Sequence, residues 1–303
     1  MTNRTTTSST TSTGPERTIP GPITDPHPPS FTPPPGACDA HCHVFGPAAR
    51  FPFAPERAYT PPDSGIDLFE RLQHRLGLSR AVFVQASCHG TDNRAMVDAL
   101  HRGGGRYAGV AMIDDSFTDS EIAKLHDAGV RGTRFNFVAH LGGAPDLDHF
   151  WRIVDRVQTW GWHIVLHFDA KDLPRYAELL DRMPCPYVID HMARVPVTAG
   201  VEQEPFQQLL ELMRDERCWV KISGAERLTA DGPPPYDDVV PFAQALIAAA
   251  PERVLWGTDW PHPNVRHMPD EGDLLDLMLQ FAPDRATRDR ILVRNPESLY
   301  DFT

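Results

Sequence analysis

The feature that most constrains this chain is a regular alternation of short β-branched apolar runs with amphipathic helical patterns, which begins at Gly36. The apolar runs have the composition of strands buried on both faces, which is typical of a parallel sheet in an α/β protein. Eight units in about 265 residues have the size of a (β/α)8 TIM-type barrel. The predicted strands are Ala37–Val44, Arg80–Gln85, Tyr107–Ile113, Gly132–Phe137, His163–Phe168, Tyr187–Asp190, Trp219–Ser223 and Val254–Gly257.

Two of the predicted helices have clear ends. One follows a possible N-cap at Asp146 and ends at Gly161, and its apolar positions recur at i, i+3, i+4 and i+7: Leu147, Phe150, Trp151 and Val154. The other begins behind Thr91 or Asp92, ends at Gly103–Gly105, and buries Met96, Ala99 and Leu100. Both support the strand and helix alternation.

A doubly wound open sheet is the alternative architecture. Its usual signature, G-x-G-x-x-G directly after the first strand, is absent, and Asp39-Ala40-His41-Cys42-His43 stands there instead. Residues two apart in a strand point to the same side, so His41 and His43 face together and Cys42 faces away. If the histidines point inward, they lie at the end of the barrel where such folds carry their chemistry.

Ionisable side chains also end three other predicted strands. His167 ends the fifth strand, Asp190 and His191 end the sixth, and Asp259 follows the eighth. A buried histidine or aspartate without a partner is costly, so these side chains are expected to converge on one another or on a metal ion.

The first 35 residues differ in composition from the rest. Thr2–Thr13 is nearly all serine and threonine, and Pro15–Pro35 contains nine prolines. Such a segment buries too little apolar surface to offset its chain entropy, so residues 1–35 are predicted to be a disordered lead-in and 36–303 the barrel domain. The lead-in lacks the apolar run of a secretory signal, which favours a cytoplasmic location.

Charge and cysteine content limit the partners. The chain has 41 acidic and 29 basic side chains, and its net charge of −12 argues against a nucleic-acid or anionic-membrane surface. No apolar run is long enough for a membrane span. Five scattered cysteines favour a reducing compartment over a disulfide framework: Cys38, Cys42, Cys88, Cys185 and Cys218. An anionic ligand would therefore need a local basic pocket.

Five motifs together resemble the lactonase branch of the amidohydrolase superfamily: Asp39–Gly46, Gln85–Gly90, Gly129–Asn136, Asp190–Met192 and Leu255–Pro263. The resemblance runs from about Cys38 to the end of the chain. It implies a (β/α)8 barrel in which water opens a lactone that carries acidic substituents, during bacterial breakdown of aromatic compounds. The expected partner is therefore a small anionic lactone, and the sequence leaves the oligomeric state open.

The resemblance also implies roles for particular residues. Asp259 matches the general base, and His41, His43 and His191 match residues around the lactone carbonyl and the water, with His191 as the carbonyl donor. The acidic arms of the substrate would be held by Tyr59, Ser87, Arg134, Arg194 and Arg227. An arginine fork suits carboxylate and sulfonate oxygens, although a surface salt bridge is the commoner role of any single arginine.

Two positions depart from the members of this branch that open a pyrone dicarboxylate. His140 stands where those members have a second arginine of the substrate pocket, and His167 stands where they have a tyrosine. In the wider superfamily, a histidine at the second position completes a metal site. The resemblance therefore implies one Zn²⁺ per chain, bound by His41, His43, His167 and Asp259.

These departures favour a sulfonated muconolactone as substrate, namely 4-sulfomuconolactone, whose opening releases sulfite and leaves maleylacetate. A pyrone dicarboxylate is the second candidate. A zinc-dependent decarboxylase of the same superfamily would use the same ligands and would release CO₂. A non-catalytic ligand-binding barrel is a further alternative, but such a barrel has no need to keep every inward polar position.

Overall fold

The computed structural model describes residues 17–141 and 143–302, and in it eight strands form one sheet in the order of the sequence. Each neighbouring pair from the first strand to the eighth is parallel. The strands are β1 Cys38–Cys42, β2 Arg80–Val84, β3 Tyr107–Ala111, β4 Val130–Asn136, β5 His163–His167, β6 Tyr187–Ile189, β7 Cys218–Lys221 and β8 Val254–Leu255.

Backbone hydrogen bonds close this sheet into a barrel. The N–H of Ala40 donates to the carbonyl of Trp256 at 2.9 Å, and the N–H of Asp259 donates to the carbonyl of His41 at 2.8 Å. The closed sheet confirms the predicted (β/α)8 barrel and excludes the doubly wound alternative. Every predicted strand is present, with its ends within two residues of the expected ones.

Helices connect the strands and cover the outside of the barrel. The predicted cap at Asp146 is confirmed, because its carboxylate accepts from the N–H of His149 at 2.8 Å. The α-helices are α1 Ile66–Leu76, α2 Arg94–Gly103, α3 Asp119–Asp127, α4 Leu147–Val157, α5 Leu173–Asp181, α6 Glu204–Leu212, α7 Ala225–Leu228, α8 Val240–Ala249, α9 Glu271–Asp276, α10 Met278–Phe281, α11 Arg285–Asp289 and α12 Asn295–Tyr300.

An irregularity in β1 decides which side chains face the barrel interior. Cys38 and Ala40 belong to the apolar cluster inside the barrel, whereas Cys42 packs in the layer between strands and helices. The pairing of β1 with β2 shifts register between Asp39 and Cys42, so strict alternation is broken. The shift turns His41 toward the same interior as Ala40.

Part of the expected lead-in contacts the barrel. The N–H of Ile19 donates to the carbonyl of Thr60 at 3.1 Å, and the N–H of Ser30 donates to the Asp276 carboxylate at 2.7 Å. His27 lies 2.8 Å from Asp273 on α9. The stretch 17–35 therefore lies along the barrel rather than apart from it, since its polar groups find partners on α9 and in the segment before α1. Residues 1–16 lie outside the described part, and the prediction that they are disordered stays a prediction.

Two further expectations concern the chain as a whole. All five cysteines are buried free thiols, in agreement with the absence of a disulfide framework. Within 17–141 and 143–302, no helix is long and apolar enough to cross a membrane.

Candidate active site

Three imidazoles converge on one carboxylate at the carboxyl end of the barrel. The Nε2 atoms of His43, His41 and His191 lie 3.2, 3.5 and 3.9 Å from Oδ1 of Asp259. All four side chains are buried. The strand ends predicted to converge from β1, β6 and β8 therefore do so.

The hydrogen bonds of His43 determine where its proton lies. Its Nδ1 is 2.7 Å from the carbonyl oxygen of Val84, which can only accept, so Nδ1 carries a proton. In the neutral ring, Nε2 then has only a lone pair, and this lone pair faces Oδ1 of Asp259 at 3.2 Å. Two acceptors at this distance require a proton or a metal ion between them.

His41 and His191 are held from behind by other buried groups. Nδ1 of His41 lies 3.0 Å from Nζ of Lys221 and 3.2 Å from Oδ1 of Asp190. Burial, reinforced by the nearby Lys221 ammonium, holds the pKa of His41 well below its ordinary value. Nδ1 of His191 lies 2.9 Å from the Ser223 hydroxyl, and burial lowers the pKa of His191 to about 4. Both rings are thus neutral near pH 7, as metal-binding imidazoles must be.

The turn that places His191 is unusual. Residues 191–194 have φ values of 50, 51, 51 and 51°, although this stretch, His191-Met192-Ala193-Arg194, contains no glycine. Left-handed backbone costs an L-residue roughly 1–2 kcal/mol, and it persists mainly where the surrounding fold imposes it. The turn directs His191 into the site and carries Arg194 to its rim.

Asp259 is positioned by a clamp between β1 and the end of β8. Oδ1 of Asp39 accepts from the N–H groups of His41 at 3.1 Å and Thr258 at 3.0 Å, and its Oδ2 accepts from the Thr258 hydroxyl at 2.6 Å. Burial raises the pKa of Asp39 to about 6. The clamp fixes the residue before Asp259, which itself has φ 64°.

Arg227 occupies the other oxygen of the Asp259 carboxylate. Its Nε donates to Oδ2 at 2.6 Å and Nη2 contacts the same oxygen, while Nη1 donates to the carbonyl of Pro263 at 2.8 Å. Burial opposes ionisation of Asp259, but Arg227 and the histidines outweigh it and hold the pKa of Asp259 well below its usual range. The carboxylate is therefore ionised and fully engaged.

His167 is not brought to the Asp259 group. Its Nδ1 lies 3.1 Å from Nη2 of Arg134, which can only donate, and 3.2 Å from the side-chain oxygen of Asn136, which can only accept, so these contacts are compatible with either tautomer of the ring. That Nε2 atom is buried and makes no hydrogen bond within the described residues. The His167 and His191 ring centroids are 5.5 Å apart. His167 thus lies beside the centre with a buried, unbonded Nε2 atom, and its expected role as the fourth metal ligand stays a prediction.

The structure adds an ion pair that the sequence analysis missed. Lys221 at the end of β7 lies 3.2 Å from Oδ1 of Asp190, and Nε of Arg134 lies 3.1 Å from Oδ2 of the same carboxylate. Burial opposes the charge on Asp190, yet Lys221, His41 and Arg134 hold its pKa well below the ordinary value. The only signal in the sequence was a lysine within an apolar run, Trp219–Ser223.

The predicted substrate-binding residues line one small cavity above Asp259, with a volume of about 30 Å³. Asn264, another residue that the sequence analysis missed, also lines it, and its Oδ1 is buried without a hydrogen-bond partner among the described residues. The side chain of His140 lies outside the described part of the structure. The predicted residues that line the cavity are Tyr59, Ser87, Arg134, Arg194 and Arg227.

The donor set fits a divalent metal ion. His41, His191 and Asp259 each offer a ligand atom within 4.8 Å of the others. Nε2 of His43 faces Oδ1 of Asp259 with a lone pair, and the buried Nε2 of His41 makes no hydrogen bond, so both nitrogens suit a cation beside this carboxylate. Imidazole nitrogens with one carboxylate oxygen are the ligands that Zn²⁺ prefers at catalytic centres.

A closed barrel with histidines and an aspartate at its strand ends defines the class of (β/α)8-barrel enzymes that work at the carboxyl face. Within that class, the amidohydrolase family model matches residues 38–302, and this chain belongs to the amidohydrolase family.

Three similar proteins show which part of the family is involved. A 2-pyrone-4,6-dicarboxylate hydrolase of Comamonas testosteroni is 48% identical, covering 91% of this chain and 93% of the relative. A 4-sulfomuconolactone hydrolase of Rhizobium radiobacter is 44% identical, covering 92% and 95%. A crystal structure of a probable 2-pyrone-4,6-dicarboxylic acid hydrolase from Acinetobacter baumannii, with citric acid bound, superposes with a TM-score of 0.77 at 26% identity, covering 88% and 100%.

Proposed function

We propose that this protein is a hydrolase that opens lactones bearing acidic substituents, in the breakdown of aromatic compounds. The observation that carries the proposal is the pairing of the histidine and aspartate centre with Arg134, Arg194 and Arg227 in one cavity. In a chain with a net charge of −12, three arginines beside the reacting centre select an anion. The names of the two similar hydrolases support the reaction class. We place the enzyme in the cytoplasm, acting on a diffusible small anion.

Asp259 would be the base of the reaction. It would take a proton from the attacking water as the water oxygen bonds to the acyl carbon. It would return the proton to the ring oxygen when the carbon to ring-oxygen bond breaks, so that the product is an open-chain acid. The ionised state of Asp259 in this structure suits the first step.

The histidines divide the remaining work. His191, held by Ser223, would donate to the carbonyl oxygen as negative charge develops there, a contribution of about 10²–10³ in rate. In the tautomer with the proton on Nε2, His167 would donate from that atom to an acidic arm of the substrate next to Arg134. The imidazole pKa values are low because of burial, so each ring is neutral before it donates.

We further propose one divalent ion, zinc, per chain. His41, His43 and Asp259 would hold it, since their ligand atoms face one another without intervening donors. Such an ion supplies Lewis acidity at the acyl oxygen and lowers the pKa of water. Metal analysis of folded protein tests this: about one ion per chain is expected, and full activity of metal-free protein in chelator would refute it.

We propose 4-sulfomuconolactone as the first candidate substrate and 2-pyrone-4,6-dicarboxylate as the second. The first is favoured because His140 and His167 replace an arginine and a tyrosine that suit a planar carboxylate. The second is favoured by the 48% identity to the Comamonas protein.

The experiment that tests the function is a direct assay of the purified protein against both lactones. A higher kcat/KM for 4-sulfomuconolactone, with release of sulfite, is expected. A higher kcat/KM for the pyrone dicarboxylate would reverse the order of the two substrates. Hydrolysis of neither lactone would refute the proposed function, and release of CO₂ without ring opening would identify a decarboxylase.

A further inference from the structure

A second cavity adjoins the one above Asp259. This outer cavity has a volume of about 250 Å³ and shares two lining residues, Arg194 and Arg227, with the inner one of about 30 Å³. Sites for small molecules usually measure about 300–1,000 Å³, and 30 Å³ is close to the volume of one water. The inner cavity alone is therefore too small for a lactone with two acidic arms, whereas the two cavities together approach the usual range.

The Arg227 side chain lies between the two cavities and lines both of them. Its guanidinium reaches across to Asp259, with Nε donating to Oδ2 at 2.6 Å. In this position it covers one oxygen of the carboxylate and fills space beside the reacting centre. A ligand that extends from one cavity into the other would lie against the two guanidinium groups that line both, those of Arg227 and Arg194.

The outer cavity differs in charge from the other surface cavities. No carboxylate lines it among the described residues, and three arginines do: Arg194, Arg227 and Arg266. The cavity beside α1 has as many carboxylates as arginines: Arg71, Arg75 and Arg102 with Asp25, Asp67 and Glu70. The cavity between α2 and α3 is also balanced: Arg94 and Lys124 with Asp92 and Glu121. The cavity beside α4 and α5 has two arginines and one carboxylate, Arg175 and Arg182 with Glu178. Among these four cavities, the one that adjoins the active site is thus the one lined by arginines without a carboxylate.

The guanidinium of Arg266 is available to bind an anion. It is exposed, and over 17–141 and 143–302 it makes no hydrogen bond or ion pair. Arg194 is only partly engaged, because its Nε donates to Asp169 at 2.7 Å while no bond of its two terminal nitrogens occurs within the same residues. An acid group between these two arginines would meet charged donors on both sides.

We propose that the outer cavity binds one acid group of the substrate, a carboxylate or sulfonate, through Arg266 and Arg194, and that Arg227 turns from Asp259 to the same group. The inference rests on the proposed function and extends it. The substrate is then a lactone with two acid groups, one held in the inner cavity beside Arg134 and one in the outer cavity. Binding of the second group also frees Oδ2 of Asp259, which couples recognition of the distal arm to the chemistry.

Steady-state kinetics of Arg266→Gln test the site. For a lactone with two acid groups we expect KM to rise about three- to tenfold, with kcat changed by less than about twofold, since one charged contact is lost. The matched control is Arg175→Gln, another exposed arginine that lines a surface cavity away from the active site, and it should leave KM unchanged. An Arg266→Gln enzyme with the KM of the wild type would overturn the proposal.

A binding measurement separates this inference from the proposed function. Citrate is the probe, and its affinity is measured by calorimetry for the wild type and both variants. If the wild type hydrolyses neither lactone, and citrate binds more weakly to Arg266→Gln but not to Arg175→Gln, the proposed function is refuted and the anion site is supported. If the wild type does hydrolyse lactones, and Arg266→Gln binds citrate as tightly as the wild type does, the anion site is refuted. A crystal structure with citrate should show Arg227 away from Asp259, and Arg227 still paired with Asp259 beside bound citrate would overturn the movement.

Discussion

Two buried clusters of histidine and carboxylate lie side by side in this barrel, and they have opposite protonation. In the cluster around Asp259, three histidines share one carboxylate, and burial holds the pKa of His41 and His191 below the ordinary value. In the neighbouring cluster, His262 lies 3.1 Å from Glu271 and 3.9 Å from Glu226. Burial opposes its charge, but the two carboxylates outweigh it and raise the pKa of His262 to about 9.

The comparison teaches that the charges around the carboxylates decide what a buried histidine can do. In the first cluster Arg227 pairs with Asp259, and Lys221 and Arg134 pair with the Asp190 carboxylate beside His41. His41 and His191 therefore stay neutral and can offer lone pairs to a metal ion. In the second cluster, Glu226 and Glu271 surround the His262 ring, so this ring is a cation that stabilises the fold through two ion pairs. The clusters touch, because Arg227 contacts Glu226 at 3.3 Å as well as Asp259. The charged cluster thus supports the catalytic one.

The largest effect is expected for Asp259→Asn. Asparagine tolerates the left-handed backbone at this position but cannot accept the water proton. We expect kcat to fall by at least about 10³-fold with the fold intact. Thermal unfolding of the variant serves as the control. A folded variant with most of the wild-type turnover would remove Asp259 from the chemistry.

His191→Asn tests how the three rings share their roles. The Asn side chain keeps the backbone turn but withdraws the Nε2 donor, so kcat should fall about 10²–10³-fold while the bound metal stays. Metal content and kcat are measured on the same sample. Loss of the metal would show that His191 is a ligand rather than the carbonyl donor.

His262→Asn should act on stability instead. The substitution removes the His262 cation and leaves the buried carboxylates of Glu226 and Glu271 without that partner, which lowers the free energy of unfolding by roughly 3 kcal/mol or more. The folded-state pKa of about 9 lies above the unfolded value of 6.5. The contribution is therefore fully present below pH 6.5 and is lost as pH rises through about 9.

Denaturant unfolding at pH 6, 8 and 10 measures the difference between wild type and His262→Asn. We expect this difference to shrink at the highest pH. A difference that is constant across this range would mean that His262 is uncharged in the folded protein, and the contrast between the two clusters would disappear.

The smallest effect is expected for His167→Asn. The shorter side chain can still accept from Arg134 but does not present the Nε2–H to the cavity, so KM should rise by about tenfold or less. Metal content should stay at the wild-type level. A metal-free variant would instead restore His167 to the ligand set implied by the sequence resemblance.

Much of the fold could be predicted because its signals are local. The β-branched runs and the helical spacing after Asp146 depend on neighbouring residues, and both proved reliable. The lead-in was harder, because proline-rich composition says nothing about partners such as Asp273 and Asp276 on a distant helix. The left-handed turn at residues 191–194 was also hidden, since no glycine marks it.

The sequence by itself determined the barrel, the pair His41 and His43, and the ionisable residues at the ends of strands. Only the tertiary structure decided how these residues share protons and partners. The register shift in β1 turns His41 inward, and the acceptor at Val84 sets which nitrogen of His43 faces Asp259. These contacts join residues far apart in the chain, and distances of that kind are fixed by barrel closure, whereas sequence periodicity specifies only which face of its own element a residue occupies.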